Sequence, residues 1–340
     1  MIAGELVGLI ERLGLKGVET PTFFPYYRNE VSRLTSLSFN IKLTSEVTGE
    51  VARVVKDGLF LTVYVDELSF TFFHRFTILL EVLLQPLLAS KRVDLLVSFG
   101  DAAPNRFEGI AMCGSDAKTL LIPDIYFIRF RGYEILKREI DQGLRNIPEP
   151  DFTRGCYWRG SATGHRSLSP GGQVTSQRIE LCRLSKRLPN IVDARLTGLV
   201  DLPEESREDL RQEGLVIESF ASPLESLHFP IQIDVDGYGN AYSSFFWKLF
   251  SKRLTIKVGS VLNLRQWFYS RLKSGVHFFA VNSSLSDLEG VAENLRRLGM
   301  NHYWSLVKDA RQTIDQVRYE REIVSARQAI ATYIAEHQDR

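Results

Sequence analysis

Three short segments carry residue types that could do chemistry, and each follows an apolar run that reads as a β-strand. The first is Gly100-Asp101-Ala102-Ala103-Pro104-Asn105, after the run Val93 to Phe99. A carboxylate just past a strand end, beside a glycine that lets the backbone turn, is placed to act as a general base, a role worth roughly 10²- to 10⁴-fold in rate. An Asx-turn or helix cap is the alternative, because aspartate is common in such turns.

The second segment is Tyr157-Trp158-Arg159-Gly160-Ser161-Ala162-Thr163-Gly164, continued by a loop with Pro170-Gly171-Gly172 and a helix whose first turn holds Arg178. Glycines that admit close backbone approach, hydroxyls, and a guanidinium able to form charge-assisted bonds are what a phosphate site needs. Arg154, Arg159, Arg166, Arg178, Arg183, Lys186 and Arg187 cluster there in a near-neutral chain. Arg183, Lys186 and Arg187 read as a solvated helix face, and Arg178 as the anion ligand.

The third is Asp234-Val235-Asp236-Gly237-Tyr238-Gly239-Asn240, between a strand and a helix opening near Tyr242. Gly237 and Gly239 allow a tight turn, and the helix start beyond Asn240, Ala241 and Tyr242 offers free amides for a diphosphate. This G-x-G lacks a third glycine and is a weak dinucleotide fingerprint. The D-x-D could bridge a metal to a diphosphate, but two oxygen ligands do not define a metal site, and no metal is expected. The six histidines form no H-x-x-x-H pair, and neither a G-x-S-x-G elbow nor a P-loop is present. His277, inside an apolar run, reads as a core histidine.

These segments need elements to hold them. Strands are expected at Leu59 to Val65, Val93 to Phe99, Thr119 to Ile122, Cys156 to Trp158, Ile191 to Ala194, Ile231 to Val235, Leu254 to Val258 and His277 to Val281. Helices are expected at Arg75 to Lys91, Tyr133 to Leu144, Thr175 to Leu188 and Tyr242 to Ser251. A further helix should open on the capping-box pattern Ser286-x-x-Glu289, and Leu306 to Glu336 should be helical throughout. The alternation predicts α/β architecture with parallel sheets covered on both faces, in which ligands gather beyond the carboxyl ends of the strands. The Pro-rich stretch Asn146-Ile-Pro-Glu-Pro150 reads as a linker. It gives an N-terminal domain over 1–148, joined by a returning C-terminal helix over 306–340, and a C-terminal domain over 149–305.

The chain has 340 residues, 44% of them apolar and 24% charged, with a net charge of +1. That balance excludes disordered and collagen-like classes and provides no basic field for nucleic acid. Cys113, Cys156 and Cys182 are too widely spaced for a disulfide framework or a zinc site. The most apolar stretch, Phe76 to Ala89, is interrupted by Glu81, Gln85 and Pro86. Met1 to Gly17 lacks a basic n-region and reads as an amphipathic helix (Ile2, Leu6, Leu9, Ile10, Leu13) instead of a signal peptide. Cytoplasmic residence is the expectation, with peripheral association at the inner membrane left open.

Taken in order, Tyr157 to Gly164, Ile233 to Leu249, Ile256-Lys-Val-Gly-Ser260, Gln266 to Lys273, Val276-His277-Phe278 and Asp287-Leu288 resemble the CAP10-like glycosyltransferases, glycosyltransferase family 90. This family includes bacterial lipopolysaccharide- and capsule-modifying proteins and eukaryotic protein O-glucosyltransferases. The resemblance spans about residues 93 to 300. It implies a GT-B fold, two Rossmann-like domains facing a cleft, and inverting transfer of a sugar of glucose or xylose type from a UDP-sugar to a hydroxyl of a glycan acceptor. That acceptor would be free or lipid-linked, in lipopolysaccharide, capsule or related polysaccharide synthesis. Val97-Ser-Phe-Gly-Asp101-Ala-Ala-Pro104 looks like the segment that supplies the family's base, Asp101 here.

Ser161 and Arg178 match positions that bind the donor's phosphates, and the turn Gly239 to Tyr242 corresponds to the loop that holds the diphosphate. The implied donor site therefore comprises Arg159, Gly160, Ser161, Thr163, Arg178, Gly237, Gly239, Asn240, Ala241, Tyr242, Ser244 and Lys257, with no cofactor and no metal. Eukaryotic members carry an arginine near the start of the helix after the glycine loop, where this chain has Ser243-Ser244-Phe245. The family's Lys-Pro-Trp-x-His-Tyr-x-Pro is here Lys273-Ser-Gly-Val-His277-Phe-Phe-Ala280. These departures leave open a non-catalytic protein that binds a sugar nucleotide or glycan within a polysaccharide assembly system. A metal-dependent transferase using Asp234 and Asp236 is a third option. Glu108 and Asp124 are the next candidates for the base after Asp101.

Overall fold

The computed structural model describes residues 38–168, 174–217, 219, 221–240 and 242–337. The helix expected over Met1 to Gly17, the Pro170-Gly171-Gly172 loop and Ala241 lie outside the described residues. The chain divides into two compact units, one of Met1–Ala111, Asp116–Leu120 and Ile323–Arg340, the other of Met112–Ser115 and Leu121–Glu322.

In the first unit, β1 (Ser38–Leu43), β2 (Val51–Asp57), β3 (Phe60–Val65), helix α1 (Phe70–Ala89), β4 (Arg92–Ser98) and β5 (Ile110–Ala111) follow in order. Beyond β6 (Cys113–Gly114), β7 (Leu120–Leu121) completes a sheet ordered β1-β3-β2-β4-β5-β7. The sheet is mixed: β2 is antiparallel to both β3 and β4, while β1 pairs with β3 and β4 with β5 in parallel. An all-parallel sheet was the expectation. The difference starts at the two-residue turn Gly58-Leu59, where Gly58 takes φ +57° and closes a hairpin that forces β2 and β3 antiparallel. Helix α1 is capped by Ser69, whose Oγ accepts the Phe72 amide, and it buries Phe72, Phe76, Leu79 and Leu83. Its span Thr71–Ala89 is long and apolar enough to cross a membrane by composition, yet 56% of that window is buried within the protein.

The second unit continues with α2 (Ile125–Arg129), α3 (Glu134–Asn146), β8 (Cys156–Ser161), β9 (Ser167–Leu168), β10 (Val174–Thr175), α4 (Gln177–Arg187), β11 (Val192–Gly198) and α5 (Glu204–Gln212). Then come β12 (Ile231–Asp234), α6 (Ser243–Phe250), β13 (Leu254–Val258), β14 (Arg265–Gln266), β15 (Phe279–Val281), α7 (Leu288–Arg296) and α8 (Met300–Asp315), and α9 (Tyr319–His337) follows. Five strands form a wholly parallel sheet ordered β11-β8-β12-β13-β15. β12 and β13 are buried along their whole length, as suits the centre of a sheet covered on both faces. One core gathers the strands with Ile179, Leu210, Leu288 and Leu306. A second gathers Phe127, Ile140, Phe246, Phe268 and Ile314.

The division between units falls at Ala111 to Leu121, not at residue 148. Helix α3 belongs to the second unit because Ile140 and Leu144 are buried with Leu227 and Phe246, and Arg253 Nη2 donates to the Ile147 carbonyl at 2.9 Å. The Pro-rich stretch is thus part of that unit's surface. The C-terminal helix is two helices, because Val317 turns into the core between α8 and α9. Only from Ile323 onward does the chain join the first unit, where the Arg327 guanidinium donates to the Glu81 carbonyl.

Two local expectations also change. The capping box at Ser286 does not form: Asp287 stands at the start of α7, and its Oδ1 accepts the Asn282 amide. His277 lies before β15, half-buried, accepting the Lys273 amide at Nδ1 (3.0 Å) and facing Thr313 Oγ1 at Nε2 (3.2 Å). Burial lowers its pKa from the ordinary imidazole value.

Candidate functional site

In the parallel sheet, β8 is followed in the chain by β11 on one side, while β12, the next strand added, lies on its other side. Loops leaving β8 and β12 therefore diverge, and a doubly wound sheet binds ligands at that switch point. A small cleft of about 20 Å³ opens there, walled by Thr163, Gly164 and His165 after β8, Asp236 and Gly237 after β12, Ser260, Val261, Leu262 and Leu264 after β13, and Gln177 at the start of α4.

Two glycines let the loops close. Gly164 has φ +123°, and a Cβ on it would lie 3.6 Å from the Asp236 and Gly237 carbonyl oxygens. A Cβ on Gly237 would meet Thr163 Oγ1 at 3.0 Å and Arg178 Nη2 at 3.1 Å. The Gly237 amide donates to the Gly239 carbonyl at 2.9 Å, tightening the turn.

Arg178 fastens the two loops together. Ser176 caps α4 by accepting the Ile179 amide, which sets Arg178 in the first turn. Its Nε donates to the Asp236 carbonyl (2.9 Å), Nη1 to the Ser161 carbonyl (3.0 Å) and Thr163 Oγ1 (2.7 Å), and Nη2 to the Val235 carbonyl (3.0 Å). Burial lowers its pKa from the ordinary guanidinium value, and Asp234 and Asp236 act against that.

Beneath the loops lies a buried ionic network. Asp234 is fully buried. Its Oδ1 accepts Ser244 Oγ and Lys248 Nζ, each at 2.8 Å, and its Oδ2 accepts Lys257 Nζ at 2.7 Å. Lys257 also reaches Asp236 Oδ1 at 2.5 Å. Asn240 Nδ2 donates to both Asp236 carboxylate oxygens, and its Oδ1 accepts the Cys113 thiol.

Burial alone would raise the Asp234 pKa, but Lys248 and Lys257 outweigh it and hold the carboxyl well below its ordinary value. Burial lowers Lys248, whereas for Lys257 the two aspartates overcome burial and raise it. Lys248, Lys257 and Arg178 set three cations against two carboxylates, leaving one positive charge beneath the cleft.

The structure brings Thr163 and Gly237 to the cleft; Arg178 is not among its walls but bonds both loops from behind, reaching the Ser161 carbonyl at the end of β8. Gly239 shapes the turn. Asn240, Ser244 and Lys257 are held below it in the network. Tyr242, at φ +30°, starts α6 and packs its ring edge-on against Tyr126 at 5.3 Å. Gly160 lies within β8, where a Cβ would be 2.7 Å from the Trp158 ring. Arg159 turns to β11, with Nη1 2.8 Å from Asp193 Oδ1 and the guanidinium over the Tyr157 ring. Gln177 and His165 are additions. Gln177 Nε2 donates to the Gly259 and Ser283 carbonyls, at 2.8 Å each, and ties the start of α4 to the loops after β13 and β15.

In the first unit, Asp101 follows β4 and accepts Arg75 Nη2 at 2.8 Å, with its side chain 31% exposed. Arg75 Nη1 donates to the Phe99 carbonyl and lies 3.5 Å from Glu50. Glu108 pairs with Lys118 and His337. Asp124 is fully buried, accepting the Tyr126 and Phe127 amides and the Tyr133 hydroxyl, and burial pushes its carboxyl up to about 6. It caps α2 out of reach of any substrate.

Fold and site together define a doubly wound α/β unit with a net-cationic cleft at its switch point. No family model matches the chain, and no curated protein matches it. Solved structures to which it is similar include Alr3699/HepE of Anabaena in complex with UDP and glucose, at 13% identity and TM-score 0.36, covering 58% of this chain and 52% of that one. Another is the C-terminal domain of the glycosyl transferase group 1 family protein LpcC of Francisella tularensis, at 14% identity and TM-score 0.31, covering 52% and 91%. A third is the wall teichoic acid polymerase TagF, at 14% identity and TM-score 0.30, covering 60% and 49%. The likeness is distant, and the chain spans about half the length of HepE and of TagF.

Proposed function

We propose that this chain is a glycosyltransferase that takes its sugar from a nucleoside diphosphate sugar bound in the cleft between the β8 and β12 loops. The observation that carries this reading is the meeting of the β8 and β12 loops at the switch point, where glycine backbone from both closes over one uncompensated buried positive charge. In a medium of low dielectric that charge favours an anion. The motif resemblance to CAP10-like enzymes makes UDP the first nucleotide to test and an inverting mechanism in a GT-B arrangement the working scheme.

In that scheme the acceptor hydroxyl oxygen attacks the anomeric carbon and its proton passes to Asp101. The bond from the anomeric carbon to the β-phosphate oxygen breaks, and UDP leaves with the electron pair. Asp234 and Asp236 are paired with Lys248 and Lys257, which supports transfer without a metal. An acceptor in lipopolysaccharide, capsule or related polysaccharide, and residence in the cytoplasm, belong to the same proposal.

The test is release of UDP from UDP-sugars in the presence of glycan acceptors. Asp101→Asn should lower turnover by about 10²- to 10⁴-fold while donor affinity stays unchanged, and chelator should have no effect. Full activity in Asp101→Asn removes it as the base. One observation favours a second reading: Arg159, Arg178 and Lys257, the side chains expected on phosphate, are already bonded within the protein. A non-catalytic sugar-nucleotide-binding subunit would be stabilised by the donor and release no UDP.

A further inference from the structure

We propose that a second groove on the α/β unit binds an acidic oligosaccharide. Trp304, Val307, Lys308, Arg311 and Gln312 of α8 fall at i, i+3, i+4, i+7 and i+8 and share one face of the helix. They wall a groove of about 320 Å³, completed by Leu144 near the end of α3, by Pro148 just past it and by Lys252 in the turn between α6 and β13. That turn precedes β13, whereas the candidate donor cleft follows it. The two sites therefore lie at opposite edges of one sheet and can be filled independently.

The chemistry divides along the groove. Leu144 and Val307 are buried and form an apolar floor, and half-buried Trp304 packs against the core and borders the groove. Arg311 has little charge left to offer. Its guanidinium donates to the Phe250 carbonyl, Asp141 and Asp315, and it lies over the Phe250 ring. Lys252 and Lys308 differ. Both are exposed, and neither forms an ion pair among the described residues. Lys252 sits at φ +55°, so its place on the rim is fixed by a turn conformation that lysine seldom adopts.

An indole beside two uncompensated ammonium groups and the exposed Gln312 amide suits a ligand with a flat apolar edge, hydroxyls and carboxylates. That description fits an oligosaccharide of uronic acids. The choice of a sugar among such anions rests on the glycosyltransferase reading; the groove itself does not.

The test is calorimetric titration of the full chain with tetragalacturonate, with maltotetraose as the uncharged counterpart. Tetragalacturonate should bind at least about tenfold more tightly, equivalent to about 1.4 kcal/mol, and its binding should weaken as salt rises. The double variant Lys252→Gln/Lys308→Gln should lose about tenfold in affinity, with UDP-induced stabilisation unchanged. Trp304→Ala should abolish binding; should that variant melt early, the exposed lysine pair decides the result. No binding of tetragalacturonate, equal affinity for both oligosaccharides, or unchanged affinity in the lysine variant overturns the proposal. Failure of UDP to stabilise the wild type would remove the transferase reading and leave tetragalacturonate binding to be judged by itself.

Discussion

The two sheets place polar groups beyond strand ends in different ways. In the five-stranded sheet of the second unit every neighbouring pair is parallel, so all five strands end on one edge and the loops after β8, β12 and β13 converge on a cleft. In the first unit β2 runs against both β3 and β4, so neighbouring carboxyl ends point in opposite directions. Asp101 stands beyond β4 and pairs with Arg75 of α1. Holding a large anion takes several converging loops and a buried counter-charge. Holding one carboxylate takes one strand end and one guanidinium.

The comparison can be broken most forcefully beneath the parallel sheet. Asp234→Asn leaves Lys248 and Lys257 buried with half their counter-charge, and the expected loss of stability is about 3–5 kcal/mol at neutral pH, read from urea unfolding. Asp234 has a lowered pKa, so its contribution is present above the unfolded value of about 4 and is lost as pH falls below it. The gap between wild type and variant should shrink in acid. Asp124 has the opposite sign. Its pKa is raised to about 6, so its contribution is present below about pH 4 and is lost as pH rises through about 6. Gaps for Asp124→Asn and Asp234→Asn that move in the same direction would undo one of the two assignments.

Arg178→Ala comes next. Four acceptors on two loops lose their donor, at an expected cost of about 2–3 kcal/mol, together with loss of UDP binding. Arg178→Lys keeps the charge but not the fork that joins the loops, so UDP affinity should stay low; full affinity in that variant would mean that charge alone matters. Gly237→Val brings its side chain against Thr163 and Arg178 and should lower stability by about 1–3 kcal/mol. The smallest effect is expected in the mixed-sheet unit, where Arg75→Gln breaks a partly exposed ion pair. It should change stability by no more than about 1 kcal/mol while lowering turnover. A cost as large as that of Arg178→Ala would erase the contrast between the two sheets.

The strands of the parallel sheet were largely legible because apolar residues recur between turn signals, as in Ile231-Gln-Ile-Asp234 and Leu254-Thr-Ile-Lys-Val258, although the polar residues between them are buried as well. The mixed sheet was not. β2 reads Val51-Ala-Arg-Val-Val-Lys-Asp57, and its partners on both sides are set by a hairpin and a distant strand that spacing does not reveal. Of the three loops that converge on the cleft, the strand-end rule picked out those after β8 and β12 but not the one after β13, and the side-chain assignments within them needed pairing. Asp234 and Lys257 are cross-strand partners in register, so a D-x-D that could have suggested a metal is half of a buried salt-bridge network. Arg178 was visible as a first-turn arginine, whereas its four acceptors come from two loops far apart in sequence. Gln177, one residue earlier, carried a signal that went unused: a polar side chain at the first helical position of a helix expected to border the cleft.

Binding of UDP to that cleft is the most direct test of the account. Thermal unfolding of the wild type and of Gly237→Val should be followed with UDP at 100 times its dissociation constant, in the presence of chelator. The account predicts about 2.7 kcal/mol of stabilisation in the wild type and none in the variant. An unshifted wild type with every nucleoside diphosphate tried, or equal shifts in the two proteins, would contradict it.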